Sequence, residues 1–260
     1  MFRKLGNLMG RRHDDAAAPS VPEGRRAYAI GDIHGRLDLF DALMAKIRAD
    51  DAARPPADTT IILLGDLIDR GPDSAGVVER ARELSQTGDV RAIIGNHEEM
   101  FLRALGDPDA LRHFLKVGGK ETILSYPVPN AAYRDATLDE LCALLAQYVP
   151  EAHVEYLRAM ETHVVIGDYL FVHAGIKPGV DIAEQSARDL RWIREPFLSH
   201  PGPHSHCIVH GHTIREEVEI LPSPKRPHRI GIDTGAFSSG RLTAIGLDGR
   251  ERWFIEAALP

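Results

Sequence analysis

Three short apolar runs in the first hundred residues each stop at a glycine, and each glycine is followed at once by aspartate or asparagine with histidine or a second acid close behind. The runs are Ala27 to Ile30, Thr60 to Leu64 and Val90 to Ile94, ending at Gly31, Gly65 and Gly95. They are short, and the second opens with β-branched residues, so they read as buried strands. Between the first two, Leu37, Phe40, Leu43, Met44 and Ile47 recur at helical spacing and predict a helix over Leu37 to Asp50. Ser74 to Gln86 predicts another, with Asp73 or Ser74 as its N-cap. Strand, helix, strand, helix, strand is a parallel unit with right-handed crossovers. Ligands of open α/β sheets bind outside the carboxyl ends of strands. This chain puts polar clusters at such ends three times in succession.

Further on, Glu98 to Ile123 and Leu138 to Met160 read as mostly helical, with a loop over Pro127 to Tyr133 between them. The texture then changes to short strands. Thr162 to Ile166 and Tyr169 to Val172 form a hairpin across Gly167-Asp168. Cys207 to Val209, Glu217 to Leu221, Arg229 to Ile232, Leu242 to Leu247 and Glu251 to Ile255 follow, the last two joined by an Asp248-Gly249 turn. No repeat or linker divides the chain, so residues 27–260 read as a single α/β domain with a helical insertion around 101–160. Residues 1–26 read as a disordered tail, rich in Ala, Pro, Ser and charge from His13 to Arg26. Phe2, Leu5, Leu8 and Met9 could line one face of a short helix there, although a frayed terminus is the plainer reading.

Composition narrows the function. A net charge of −7 and a pI near 6.0 argue against a broad nucleic-acid footprint, which needs clustered Lys and Arg. Cys142 and Cys207 are too few for a disulfide framework and read as reduced thiols of a cytoplasmic protein. No apolar run is long enough to span a membrane, and the basic first residues lack the apolar core of a signal peptide.

The chemistry lies in five pieces: Gly31-Asp32-Ile33-His34-Gly35, Gly65-Asp66-Leu67-Ile68-Asp69-Arg70-Gly71, Gly95-Asn96-His97-Glu98, His173-Ala174-Gly175 and Gly211-His212-Thr213. Asp, His and Asn donors without a thiolate suit Mn, Fe or Zn chemistry and not a structural zinc site. Asp32 and His34 flank one residue, so both can turn toward one ion. Asp66, at the end of the middle strand, is the natural carboxylate to bridge two ions. Two adjacent cations acidify a water between them, which makes a nucleophile near neutral pH. His97 follows a ligand candidate, Asn96, and can face the same substrate without binding metal. Asp69 can hold its imidazole protonated, ready to donate to a leaving oxygen. Arg70 offers a planar fork to phosphate oxygens.

Each piece alone has an ordinary explanation. Asp32 and Asp66 sit where turns and helix caps want aspartate. A lone His173 or His212 in an apolar strand is more often a satisfied core histidine. His210 is a candidate neighbour of the site, His200 and His204 read as surface residues, and Cys207 reads as a buried small residue opening a strand. Five pieces in order, each at a strand end, outweigh these explanations.

The order GDIHG, GDLIDRG, GNHE, HAG, GHT resembles the phosphoprotein phosphatase family of the calcineurin-like metallophosphoesterases, from about Ala27 to about Leu247. Gly118-Gly119 with Thr122 to Tyr126, Trp192-Ile193-Arg194, Asp233-Thr234-Gly235 and Gly240 to Thr243 resemble its bacterial branch, which includes the bacteriophage lambda-type serine/threonine protein phosphatase. The resemblance implies two stacked mixed β-sheets flanked by helices, an αββα sandwich. It also implies that Asp32, His34 and Asp66 hold one divalent metal ion, and that Asp66, Asn96, His173 and His212 hold a second. Manganese is the implied metal, with iron and zinc as alternatives. Asp69 and His97 would form the acid dyad. Arg70, Arg194 and Asn96 would contact phosphate, with Arg191 the alternative to Arg194. HAG stands where eukaryotic members commonly have HGG, which leaves the histidine in place.

Three activities fit. The first is hydrolysis of phosphoserine, phosphothreonine or phosphotyrosine in proteins by a metal-bound water. The second is hydrolysis of dinucleoside polyphosphates such as diadenosine tetraphosphate, whose symmetrical hydrolases carry nearly the same motifs. The third is a non-catalytic phosphate-binding scaffold, which would have no use for an acid dyad. The expected partners are phosphorylated proteins.

Overall fold

The computed structural model describes residues 18–86 and 88–258. The first sheet begins with β1 (Arg25–Ile30), α1 (Leu37–Ala52), β2 (Asp58–Leu63), α2 (Ser74–Ser85) and β3 (Val90–Ala92). β1 pairs parallel with β2, and β2 with β3. An Asp73 carboxylate oxygen caps α2 by accepting the Gly76 N–H at 2.8 Å. A helical segment follows: α3 (Asn96–Ala104), α4 (Pro108–Lys116), α5 (Gly119–Ser125), α6 (Asn130–Asp135), α7 (Leu138–Tyr148) and α8 (Glu151–Ala159). The second sheet holds β4 (His163–Ile166), β5 (Tyr169–Val172), β6 (Cys207–His210), β7 (Glu219–Leu221) and β8 (Arg229–Gly231), with α9 (Ala187–Trp192) between β5 and β6. After α10 (Ala236–Ser239), β9 (Arg241–Asp248) and β10 (Glu251–Ala258) return to the first sheet. The orders are β10-β9-β1-β2-β3 and β4-β5-β6-β8-β7, and each sheet mixes parallel with antiparallel pairs.

Side-chain alternation sorts the core into layers. Ala27 and Ala29 of β1 point between the sheets, where they join Ile62, Val164, Phe171, Val209 and Ile245. Tyr28 and Ile30 point outward onto Phe40, Leu43 and the insertion. Leu170, Val172 and Ile208, on the outer face of the second sheet, meet Leu190, Ile193 and Phe197. The result is the expected helix–sheet–sheet–helix sandwich.

Several sequence-derived boundaries need correction. Order does not start at Ala27, because β1 includes Arg25 and Arg26. Arg26 is buried and ion-paired with Asp51 at 2.7 Å and Asp248 at 2.8 Å, and Val21 is buried as well. A charge-rich stretch looked solvated because its partners are distant in sequence. The proposed helix face of Phe2, Leu5, Leu8 and Met9 lies outside the described residues. The helical run from Glu98 breaks where Asp107 caps α4 ahead of Pro108 and where Gly118 takes φ 110°. Part of the expected Pro127–Tyr133 loop is helical, since α6 starts at Asn130 behind Pro129. Pro150 separates α7 from α8. Among the described residues no helix is long and apolar enough to cross a membrane.

Candidate active site

The five sequence pieces converge where strands of both sheets end. β1 delivers Asp32 and His34, β2 delivers Asp66, β3 leads to Asn96 and His97, β5 to His173, and β6 to His212. All of these are buried. Among the described residues, the non-glycine residues with positive φ are His34, Asp66, Asp69, Arg70 and His212. Left-handed backbone costs about 1–3 kcal/mol at a non-glycine position and gathers where geometry serves function. Here it falls wholly on site candidates. Two glycines permit close approach. A Cβ on Gly211 would stand 2.0 Å from an Asp32 carboxylate oxygen, and one on Gly95 would stand 2.2 Å from an Asp66 oxygen.

Asp66 lies between two groups of donors. Its Oδ2 is 3.7 Å from His34 Nε2 and 3.8 Å from His97 Nε2, and its Oδ1 is 3.4 Å from His173 Nε2. Ligand atoms of His34, Asp66 and His97 fall within 4.8 Å of one another, as do those of Asp66, His173 and His212. Asn96 Oδ1 is 2.9 Å from His173 Nε2. Asp32 is a member of neither cluster but adjoins both: its carboxylate accepts the His212 N–H at 3.0 Å, and Asp233 and Asp66 act on its charge.

Divalent ions fit these residues. His34 and His173 turn Nδ1 to the Ile68 and Leu64 carbonyls at 2.7 and 2.8 Å, leaving Nε2 facing the cluster, as a ligating histidine does. His212 Nε2 is buried without a hydrogen-bond partner. Burial drives His173 down to about 4 and His212 to about 2, which keeps both imidazoles in the neutral, ligating form. Burial raises Asp32 well above its ordinary value, Asp66 and Asp233 to about 6, and Glu98 to about 7. Buried carboxylates so close together call for cations.

The His97–Asp69 pair extends the first cluster. His97 Nδ1 donates to Asp69 Oδ2 at 2.5 Å. Burial lowers the His97 imidazole and raises Asp69 well above its usual range. Arg70 places Nη1 2.8 Å from His34 Nε2 and Nη2 3.0 Å from His97 Nε2. Of the two candidate second arginines, Arg191 is bound to Glu99 at 3.0 Å, and Trp192 Nε1 donates to the same oxygen at 3.1 Å. Arg194 is exposed, makes no ion pair among the described residues, and lies near enough to depress His173 and His212.

Four residues that received no role from sequence shape this site. Glu98 accepts the backbone N–H groups of Asp66, Leu67 and Gly95 at 2.9, 2.7 and 2.8 Å. Thr122 of α5 donates to Asp69 Oδ1 and accepts the Asp69 N–H at 2.9 Å, while the Gly118 carbonyl accepts the Arg70 N–H at 3.1 Å. The helical insertion therefore buttresses the dyad and Arg70 from behind. Asp233 follows the apolar strand β8, so the strand-end pattern that exposed Asp32 and Asp66 could have exposed it too.

A sandwich that gathers imidazoles and carboxylates at its strand ends, around one shared aspartate and next to a buried histidine–aspartate pair, defines a class of metal-dependent hydrolase. The chain belongs to the calcineurin-like phosphoesterase family, whose model matches residues 25–230. It is 28% identical over 256 residues to the asymmetrical bis(5'-nucleosyl)-tetraphosphatase of Bacillus velezensis, covering 89% of this chain and 92% of that protein. It is 31% identical over 225 residues to serine/threonine-protein phosphatase 1 of Salmonella typhimurium, covering 84% of this chain and 90% of that one. Its fold matches the cold-active protein-tyrosine phosphatase of a psychrophilic Shewanella at a TM-score of 0.55 and 18% identity, over 90% of this chain and 83% of that one. The chain is a metallophosphoesterase.

Proposed function

We propose that this phosphoesterase removes phosphate from phosphoserine and phosphothreonine side chains of proteins, with phosphotyrosine as a further substrate. Asp32, His34 and Asp66 would hold one ion, and Asp66, Asn96, His173 and His212 the other. Manganese is the proposed metal, since the donor set is nitrogen and oxygen without thiolate. When bound, the ions would supply an activated water and draw charge from the phosphoryl oxygens. Arg70 and Arg194 would grip those oxygens, and Asn96 would add a contact. His97, whose Nδ1 is committed to Asp69 and whose Nε2 accepts from Arg70 Nη2, would donate from Nε2 to the departing oxygen once Arg70 turns to the phosphate and Nε2 takes up a proton.

The observation that carries this reading is the buried His97–Asp69 pair. A serine or threonine alkoxide is a poor leaving group and needs a proton as the bond breaks. A polyphosphate leaving group, whose last ionisation lies at about pH 6, departs as an anion without one. The aromatic side chains add support. A dinucleoside substrate calls for a stacking face for each base. Phe101, Phe114, Phe197 and Tyr126 are locked in the core, and Trp192 is tied to Glu99. Phe237, half-buried with its ring 5.4 Å from that of His34, offers one face. The dinucleoside polyphosphate reading draws on that face and on the Bacillus velezensis relative.

The test is a leaving-group series. His97→Asn should keep its metal and lose about 10²–10⁴-fold in kcat on a phosphothreonine peptide. The loss should be much smaller on p-nitrophenyl phosphate, whose phenolate hardly needs a proton. Equal losses on both would remove His97 from the acid's role and the main support for this reading.

A further inference from the structure

A second pocket, of about 280 Å³, lies at the opposite ends of β6 and β8 from the metal cluster. His200, His204 and His228 line it with Arg229, Leu198 and Leu221. Among the described residues, no group hydrogen-bonds the ring nitrogens of these three histidines. The rings of His200 and His204 lie 5.1 Å apart at 35°, and Phe197 backs His204 at 5.5 Å. Arg229, 4% exposed, forms the floor. The Phe197 and Leu198 carbonyls at 2.8 and 2.7 Å and Glu219 at 3.0 Å fix its guanidinium.

Three imidazoles without partners in one pocket invite a ligand, and the surrounding charge decides its sign. Burial, His200, Arg229 and His228 together hold His204 down to about 4. No carboxylate offsets these effects at His204. Glu219 is engaged by Arg229, and Glu195 takes the Ser199 hydroxyl. A metal ion would meet a guanidinium, and the ring nitrogens do not form one of the compact ligand clusters of this chain. An oxyanion would instead meet imidazole N–H donors, with Leu198 and Leu221 left for an apolar body.

We propose that this pocket binds a small oxyanion, a phosphate or carboxylate group, by donation from His200, His204 and His228 above Arg229. Sulfate is a suitable probe, since its charge is constant from pH 6 to 8, and acetate tests the carboxylate arm.

The experiment is isothermal titration of the Mn²⁺-loaded full chain with sulfate and with acetate at pH 7. The comparison protein is the double variant His204→Asn, His228→Asn. Wild type should show a sulfate site in addition to any at the metal cluster. The double variant should lose that site and keep its activity on p-nitrophenyl phosphate, which confirms that it is folded. A single variant, His200→Asn, should weaken the site without abolishing it. Preference for sulfate over acetate would mark a phosphate-type ligand, and the reverse a carboxylate. A sulfate isotherm unchanged in the variants, or no site away from the metal cluster, would overturn the proposal.

Discussion

Glu98 holds the peptide N–H of Asp66 at 2.9 Å, and so fixes the backbone of the one carboxylate that both ligand clusters share. Asp66 takes φ 49°, a left-handed conformation uncommon outside glycine. Glu98→Gln replaces one acceptor oxygen with an NH₂ that faces backbone donors. Leaving one or two of the three N–H groups unpaired should cost about 2–4 kcal/mol. Urea unfolding of the Mn²⁺-loaded protein measures this, and unchanged stability would mean that Glu98 does not support the loop.

Thr122→Val keeps the shape of the side chain and removes the hydroxyl held against Asp69. A loss near 1.4 kcal/mol, typical of one hydrogen bond to a charged group, would lower kcat about tenfold. The fall should appear on a phosphothreonine peptide and largely vanish on p-nitrophenyl phosphate. An equal fall on both would mean that Thr122 acts on the fold and not on the dyad.

Chelation should abolish activity and Mn²⁺ should restore it. Asp66→Asn should retain fewer than two ions per chain, and Asn96→Ala should retain more than Asp66→Asn, because only Asp66 touches both clusters. Metal analysis of the purified variants decides this. Two ions kept by Asp66→Asn would defeat its assignment as the bridge.

Much of this architecture was legible in sequence because local rules agree with the fold. Short apolar runs that stop at Gly31, Gly65 and Gly95 gave both the parallel unit and the ends where ligands gather. Arg26 was misread as tail because its partners, Asp51 and Asp248, approach only after folding. Thr122 and Gly118 stood out only as part of a segment that resembles the bacterial branch, without a role, since their work is done across a helix packed behind Asp69 and Arg70. Arg191 and Arg194 could not be ranked by spacing from Trp192. Their difference is a tertiary one, the pairing of Arg191 with Glu99.

Acid stability should report His210, which is buried, has an unpartnered Nε2 and is held down to about 3 by desolvation. Its folded-state value is depressed, so below about pH 6.5 the unfolded chain takes a proton that the folded chain refuses. Stability is therefore lost as pH falls from about 6.5 toward about 3, by up to about 1.4 kcal/mol per pH unit. His210→Asn should flatten this slope. Denaturant unfolding in chelator, which keeps metal release out of the comparison, measures the difference. Parallel profiles for the two proteins would show that His210 is not the group responsible.

If the buried His97–Asp69 pair serves phosphomonoesters of protein side chains, kcat/KM for a phosphothreonine peptide, a phosphotyrosine peptide and diadenosine tetraphosphate, measured side by side in the same Mn²⁺ buffer, should show it. A phosphopeptide should be preferred to the dinucleotide, and His97→Asn should erode the preference. A dinucleotide advantage of about tenfold or more, roughly 1.4 kcal/mol of transition-state binding, would contradict it and make the chain a dinucleoside polyphosphate hydrolase.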